Sequence, residues 1–392
     1  MIQKLNKTRL QTIILNFGPQ HPAAHGILKI SLSLSGETIL RADPSFGLLH
    51  RGSEKLIESK TILQSVPYLD RMDYVANLFQ EHSFVKAYEN IFKMNKLSSN
   101  VSLWRIIFDE FSRILNHLLT MGAVCLDMGS MGPIFWAFEE REQIMELYER
   151  VSGARMHTAL YQPFKINGFY FSKKLINDIV FLINRGSRYV SGSFLALLNS
   201  RSMKTRLSGV GVFSKKKINN YGITGIIARA SGIDLDYRIY NSACSFNGYD
   251  YLYFKSYLGK KGDSFDRFIV RSREIVESFK IINQLILLVK PYSDSQTKTK
   301  FNSMESVISH FKSNTIFYKT SKSSTYSIIE GPKGAVSTFL ILNDNQYPYR
   351  AAVRSPVSHN MNLISTFSNS TNFADFVATF CSLDVVLGEI DR

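Results

Sequence analysis

The segment NFGPQHPAAHG (16–26) sets two imidazoles, His21 and His25, four residues apart among prolines and glycines. Imidazole titrates near neutrality, ligates metals, and donates or accepts hydrogen bonds. The pair therefore admits metal ligation, proton transfer or a structural hydrogen bond. A zinc-protease H-E-x-x-H places both rings on one helical face with a glutamate as base. Here Pro-Ala-Ala intervenes and no acidic third ligand is near in sequence, which argues against a metal. Spacing leaves proton transfer and a structural role open.

Other stretches concentrate ionisable groups. GLLHRGSEKLIE (47–58) packs His50, Arg51, Glu54 and Lys55 into a loop-to-helix junction, where Ser53 is expected as the helix cap and Glu54 in the first turn, favoured by the dipole. PYLDRMDYVANLF (67–79) holds Asp70, Arg71, Asp73 and Tyr74 within about one and a half helical turns. On a helix Asp70 shares a face with Asp73 and Tyr74; such a cluster is most simply a solvated face, but its apolar flanks point to partial burial. Asp127 ends a long apolar run in VCLDMGSMG (124–132), and a carboxylate buried there requires a partner or a function. ERVSGARMH (149–157) carries Arg155 and His157, and DVVLGEIDR (384–392) is an apolar, strand-like run ending in charge.

These residues must be positioned by the elements around them. In ILKISLSLSGETILRAD (27–43) apolar residues alternate with serines before a Ser-Gly-Glu turn, predicting a hairpin. The histidine motif then connects the strand TIILNF (12–17) to that hairpin. Helical periodicity runs over 50–94, with a break expected at Pro67, and over 102–129, 135–157 and 172–198. The second of these carries an apolar stripe of Leu103, Ile107, Phe111, Ile114, Leu118 and Met121. Residues 205–260 are rich in Gly and Tyr and read as loops with short strands. Helix returns over 264–290 and 304–312, and YSIIEGPKGAVSTFLILND (326–344) and YPYRAAVRSPV (347–357) alternate like paired strands. The expected class is α+β: an N-terminal antiparallel β-subdomain (1–48), a first part of a long-helix bundle (49–204), an irregular or β insertion (205–262), and a second bundle part with C-terminal strands (263–392).

With 392 residues, 45% hydrophobic and 20% charged, the chain is long and apolar enough to bury a large core. No run of about 18 apolar residues is present, as a membrane helix would need. The three cysteines, Cys125, Cys244 and Cys381, are far apart and form no C-x-x-C, which argues against a chain-borne zinc or iron–sulfur site and against a disulfide framework. The net charge of +15 is spread along the chain without a nucleic-acid module. It is read as compositional bias towards Lys, Asn, Ile, Tyr and Phe rather than as a nucleic-acid footprint; the alternative, a basic scaffold or RNA-binding protein, would show salt-dependent RNA binding. The basic start lacks the long apolar stretch of a secretory signal, and no cleavable presequence is expected.

Taken together, NFGPQHPAAHG, DPSFGLLHRGSEKLIE, YLDRMDYV, FDEFSRILNHLL, FWAFEEREQIMELYERVSGARMH and DVVLGEIDR resemble, in order, the signature segments of the 49-kDa subunit of respiratory complex I, the proton-pumping NADH:ubiquinone oxidoreductase. That family is similar in turn to the large subunit of nickel–iron hydrogenases, whose R-x-C-G-x-C motif supplies metal-binding thiolates. In this chain Asp73 and Ala76 stand at the thiolate positions, so the resemblance implies an organic-ligand cavity where hydrogenases hold metal. It implies that ubiquinone enters between this chain and an adjacent iron–sulfur subunit of the 20-kDa type, which holds the terminal [4Fe–4S] cluster, while this chain binds no cofactor alone. His25 and Tyr74 would hydrogen-bond the quinone carbonyls, Asp127 would pair with His25, and Arg51, Arg71 and His157 would lie near the cluster. The further partners implied are a 30-kDa-type subunit, other peripheral-arm core subunits and the membrane arm. The implied location is the mitochondrial inner membrane, peripheral on the matrix side, and the composition suggests an organelle-encoded chain. The sequence departs from the family pattern at Gln162, where Arg is common, and at Ala335, where Glu is usual. Related readings are a plastoquinone-using photosynthetic relative and an energy-converting hydrogenase; the latter would need the missing cysteines.

Overall fold

A computed structural model of the chain describes residues 12–18, 27–92, 99–166, 173–240, 248–290, 303–315, 322–343, 347–367 and 371–392. His21, His25 and Cys244 lie outside them. The described residues form an α+β protein in which small antiparallel sheets flank long helices.

Strands β1 (Ile13–Phe17), β2 (Lys29–Ser35) and β3 (Thr38–Ser45) form the N-terminal sheet. Antiparallel β1 and β2 stand on either side of the histidine motif, and β2 pairs with β3. Ile30, Leu32 and Leu34 of β2 face the core, as their alternation with serine requires. Gly36, at φ 63°, supplies the left-handed position of the hairpin turn.

The first helices are α1 (Ser53–Ile57), α2 (Ile62–Asp70) and α3 (Asn77–Ile91), followed by the long α4 (Ser99–Asp127) and α5 (Gly132–Ser152). Pro67 lies inside α2, which Thr61 and Gln64 start with a reciprocal capping box. The interruption expected at Pro67 falls instead at residues 71–76. Pro67 is the sixth residue of α2, so the helix continues past it at the cost of one intrahelical hydrogen bond, and the turn beyond α2 is imposed by contacts distant in sequence. The cap expected from Ser53 is also displaced: Gly52, at φ 62°, precedes α1, and no side chain caps it.

The short strands β4 (Tyr161–Gln162) and β5 (Lys165–Ile166) lead to α6 (Lys173–Asn199). Between 200 and 262 the described residues contain short helices and no strand, contrary to the expected β content: α7 (Arg201–Leu207), α8 (Lys215–Tyr221), α9 (Ile226–Ala230) and α10 (Tyr237–Tyr240). Each is too short for periodicity to be read. Helices α11 (Ser264–Leu288) and α12 (Met304–Thr315) precede the antiparallel sheet of β6 (Ser323–Glu330), β7 (Ala335–Leu342) and β8 (Pro348–Arg354). Then come α13 (Pro356–Met361), α14 (Ile364–Phe367), β9 (Thr371–Asn372), α15 (Phe373–Ser382) and α16 (Leu387–Asp391). The strand-like run 384–392 is therefore a turn and a short helix. β9 completes the N-terminal sheet beside β3, and Phe17 of β1 packs edge-on against Phe373, Phe376 and Phe380 of α15, joining the two ends of the described chain.

Helix α4 is the axis of the bundle, with α3, α5, α11 and α15 packed around it. Because it is covered on all sides, its polar residues are buried as completely as its apolar stripe: Arg105, Glu110, Arg113, Asn116 and His117 are all at most 2% exposed. Charges so placed must find partners within the protein. Arg105 makes a two-pronged ion pair with Glu89 at 3.0 and 2.8 Å. Glu110 accepts from Tyr249 and Ser278 and pairs with Arg113 and Arg238. Arg229 bonds Glu330 at 2.7 Å and Glu274 at 2.8 Å, and His117 meets the other oxygen of Glu274 at 3.1 Å. Burial, despite the glutamate, holds His117 below the usual imidazole range. Glu274 lies well below the ordinary carboxylate range because Arg229 and His117 outweigh its burial, whereas burial prevails at Glu330 and raises it.

Replacing Arg229 with leucine leaves Glu274 and Glu330 without their shared counter-charge. The expected cost is about 3–5 kcal/mol, measurable as a lower unfolding temperature and reduced recovery of folded chain. A variant as stable as the parent would show that this cluster is not integral to the core.

Candidate functional site

A cleft of about 310 Å³ is lined by Arg51, Arg71, Tyr74, Met156 and His157. The structure thus gathers four of the predicted residues, Arg51, Arg71, Tyr74 and His157, from three separate stretches of chain. Met156 was not singled out from the sequence; its only signal is its position beside His157. Asp127 does not line this cleft, and His25 lies outside the described residues.

Tyr74 is presented by the turn between α2 and α3, so Asp70, Asp73 and Tyr74 do not share the helical face expected of them. The cause is Asp73. Its Oδ1 accepts from the backbone N–H of Val75 and of Ala76, each at 3.2 Å, which folds the chain into a turn. Both carboxylate oxygens also receive the ammonium of Lys333, at 2.6 and 2.7 Å, from the loop joining β6 and β7. Asp73 points inward and the half-buried Tyr74 lines the cleft. Burial pushes the Tyr74 phenol up to about 12; Lys333 and Arg51 oppose the rise and Asp73 adds to it. The phenol therefore holds its proton at neutral pH and is a donor.

The two arginines are fixed through main-chain carbonyls. Arg51 donates to the carbonyl of Arg71 at 3.2 Å, and Arg71 donates back to that of Pro67 at 2.7 Å. Arg71 thereby satisfies a carbonyl at the C-terminal end of α2, where a cation is favoured. His157 rides on a strap tied down by buried carboxyl groups. Asp70 accepts from Ala159 N–H at 2.8 Å, and Glu81 accepts from Tyr161 N–H at 2.9 Å. Burial, with the Asp70 charge beside it, raises Glu81 well above the ordinary carboxylate range. Ala159 takes a φ of 41°, an uncommon left-handed conformation for a residue with a side chain, and Asn77 donates to the Met156 carbonyl. Burial and the Arg71 charge keep His157 below the usual imidazole range, hence neutral near pH 7, despite Asp70.

The C-terminal segment braces both walls. Asp391 accepts from the N–H groups of Gly47 and Leu49, at 2.9 and 2.8 Å, and its carbonyl meets His50 Nδ1 at 2.6 Å. Gly388 packs so closely against the turn that a Cβ there would lie 2.7 Å from the Met72 carbonyl oxygen. Asp127, half-buried at the end of α4, hydrogen-bonds the Cys381 thiol, which burial and this carboxylate hold well above its ordinary range. Cys381 and Cys125 are buried and unpaired with each other. Among the described residues no group of three or more His, Cys, Asp or Glu side chains is arranged to hold a metal ion, and no helix is long and apolar enough to cross a membrane.

Residues 127–392 match the family model described as the 49 Kd subunit of respiratory-chain NADH dehydrogenase. The chain belongs to this family. It is 42% identical to the NADH-ubiquinone oxidoreductase 49 kDa subunit of Paramecium tetraurelia, with 98% of this chain and 100% of that one covered. It is 38% identical to the Cafeteria roenbergensis protein of the same description (100% and 99% covered), and 39% identical to an NADH-quinone oxidoreductase subunit of Ehrlichia ruminantium, strain Welgevonden (98% and 99%). Membership makes this 49-kDa-type chain one subunit of an oxidoreductase complex, with other subunits of that complex as its partners. The two family departures sit away from the cleft lining: Gln162 offers its main-chain carbonyl to Arg105 at 2.8 Å, and Ala335 is buried with its N–H donated to Thr224.

Gly388→Ala should displace the turn that carries Tyr74. We expect a cost of about 1–3 kcal/mol from the overpacked contact, seen as a lower melting temperature of the assembled complex; an unchanged melting temperature would show that the turn yields freely.

Proposed function

We propose that this chain forms one wall of a quinone-reduction site in a proton-pumping NADH:quinone oxidoreductase. The observation that carries the reading is the cleft that joins a protonated phenol, Tyr74, to two arginines and a neutral imidazole. The printed names of the relatives, NADH-ubiquinone and NADH-quinone oxidoreductase, support it.

Reducing a quinone to quinol takes two electrons and two protons. The electrons come from a [4Fe–4S] cluster held by an adjacent 20-kDa-type iron–sulfur subunit. This chain's task is to bind the quinone head and to deliver protons. Tyr74 donates a hydrogen bond, and then its proton, to one carbonyl oxygen as negative charge develops there. His25 serves the other oxygen, with Asp127 as its pairing carboxylate. Arg51 and Arg71, with His157 beside them, would lie near that cluster and lend positive potential to its surroundings.

The hydrogenase relationship is part of the same proposal. Asp73 and Ala76 occupy the positions at which nickel–iron hydrogenases carry thiolates, and their state suits a cavity for an organic ligand. Asp73 is turned away into its ion pair with Lys333, and Ala76 has no donor atom. The assembly partners are the iron–sulfur subunit, a 30-kDa-type subunit, other peripheral-arm core subunits and the membrane arm. A row of exposed apolar residues along the start of α5, Phe135, Trp136 and Phe138, suits such contacts. The location is the matrix side of the mitochondrial inner membrane.

In the assembled complex, Tyr74→Phe or His25→Ala should abolish quinone reduction, while NADH oxidation with an artificial acceptor persists. Ordinary quinone turnover in both variants would overturn these roles.

A further inference from the structure

Behind Tyr74 lies a second group of ionisable side chains that the proposed reaction leaves without a task. Asp73 and Lys333 form the ion pair described above, and Glu389 of α16 joins them; the three are 4%, 4% and 1% exposed. Glu389 accepts from Gln80 Nε2 at 3.3 Å and faces the buried Ser355 hydroxyl. The other charge facing Glu389 is Asp384. That carboxylate accepts from Asn116 at 2.6 Å and lies in the field of Arg271, so it has its own counter-charge. Asp384 also acts on Lys333 and Tyr74; with Arg271 set against it, the balance left around Asp73 is one ammonium and two carboxyl groups, in a site closed to water.

A site of this kind carries one cation and one anion most cheaply, with the third group neutral. Asp73 takes the ammonium on both oxygens and two backbone N–H groups as well, so Asp73 is the anion and Glu389 is the group that keeps a proton. Burial, and then the Asp73 charge, raise Glu389 to about 8, with Lys333 opposing. Tyr74 shares part of this field: Lys333 and Arg51 favour its ionised form, and Asp73 and Asp384 disfavour it.

We propose that Lys333 and Glu389 are positioning residues for proton donation by Tyr74, forming with Asp73 a charge-balanced buried triad that stabilises the phenolate left when the phenol's proton passes to the quinone. The O–H bond of Tyr74 breaks, the proton goes to the carbonyl oxygen, and the negative charge left on the phenolate oxygen is met by the Lys333 ammonium. Ionising Glu389 adds a second anion beside Asp73 that competes for the Lys333 ammonium, weakens its hold on the phenolate and slows donation. The inference rests on the reading of Tyr74 as a proton donor.

The test uses the assembled complex, with ubiquinone-dependent NADH oxidation measured from pH 6 to 9.5 and NADH oxidation with an artificial acceptor measured alongside to report assembly. As pH rises through about 8, Glu389 loses its proton, and the quinone-dependent rate of the parent should fall by up to about tenfold per unit. The phenol itself titrates too high to cause that limb. Glu389→Gln, which is neutral at every pH, should flatten it. Lys333→Met should lower quinone turnover at least about tenfold with the artificial-acceptor rate retained, and Lys333→Arg should restore most of it. If Lys333→Met fails to assemble, the pH profile of Glu389→Gln decides. An alkaline limb near pH 8 that survives in Glu389→Gln, or full quinone turnover in an assembled Lys333→Met complex, would overturn the inference. Activity retained in Tyr74→Phe would instead overturn the reading on which it rests.

Discussion

The structure depends on the need to neutralise charge on a helix that has no face to water. α4 is enclosed by its neighbours, so the guanidinium groups of Arg105 and Arg113 and the carboxylate of Glu110 cannot be solvated. Surrounding elements therefore contribute matched groups: α3 offers Glu89, α10 Arg238, α11 Glu274 and Ser278, and β6 the Glu330 main-chain carbonyl. Apolar packing alone would hold these helices together in many rotations and offsets. Paired buried charges are far less tolerant, because a shifted helix strands an ion at a cost of several kcal/mol.

That rigidity bears on the cleft, which is built mainly from irregular chain. Tyr74 sits in a turn, Arg51 in a loop and His157 on a strap. Irregular segments are ordinarily the mobile parts of a protein. Here each is tied to the bundle by a buried carboxyl group: Asp73 holds the turn, Asp391 holds the loop before Arg51, and Asp70 with Glu81 holds the strap. The same groups tune the site. Burial beside Asp70 raises Glu81 well above the ordinary carboxylate range, and Asp73 and Lys333 act on the field at Tyr74. Holding the backbone and adjusting proton affinity are two consequences of placing acids where water cannot reach.

Much of the fold was legible in the chain. Serine–leucine alternation over 29–35 marked β2, and the apolar stripe from Leu103 to Met121 marked α4 to within a few residues of its observed ends. Where reading failed, the signal was short or misleading. Pro67 looked like a helix break, yet α2 runs through it to Asp70. DVVLGEIDR looked like a strand because its residues are apolar, yet they are buried in a turn and a short helix wedged against Met72. Among the site residues, Arg51, Arg71, Tyr74 and His157 were found through family resemblance. Lys333 and Glu389 were overlooked, although a lone lysine in a Gly-rich turn between two apolar strands was a visible hint of a buried cation.

The sequence by itself determined the class of the protein, the long helices, the family and most of the cleft lining, because periodicity and motifs are written in residues near one another. Only the tertiary structure decided which way Asp73 points and what state the groups around Tyr74 hold. The ammonium that turns Asp73 inward comes from 260 residues further along the chain, and the acid beside it from α16. The charge a buried group carries follows from the sum of its neighbours' fields and its distance from water, and no local pattern records either.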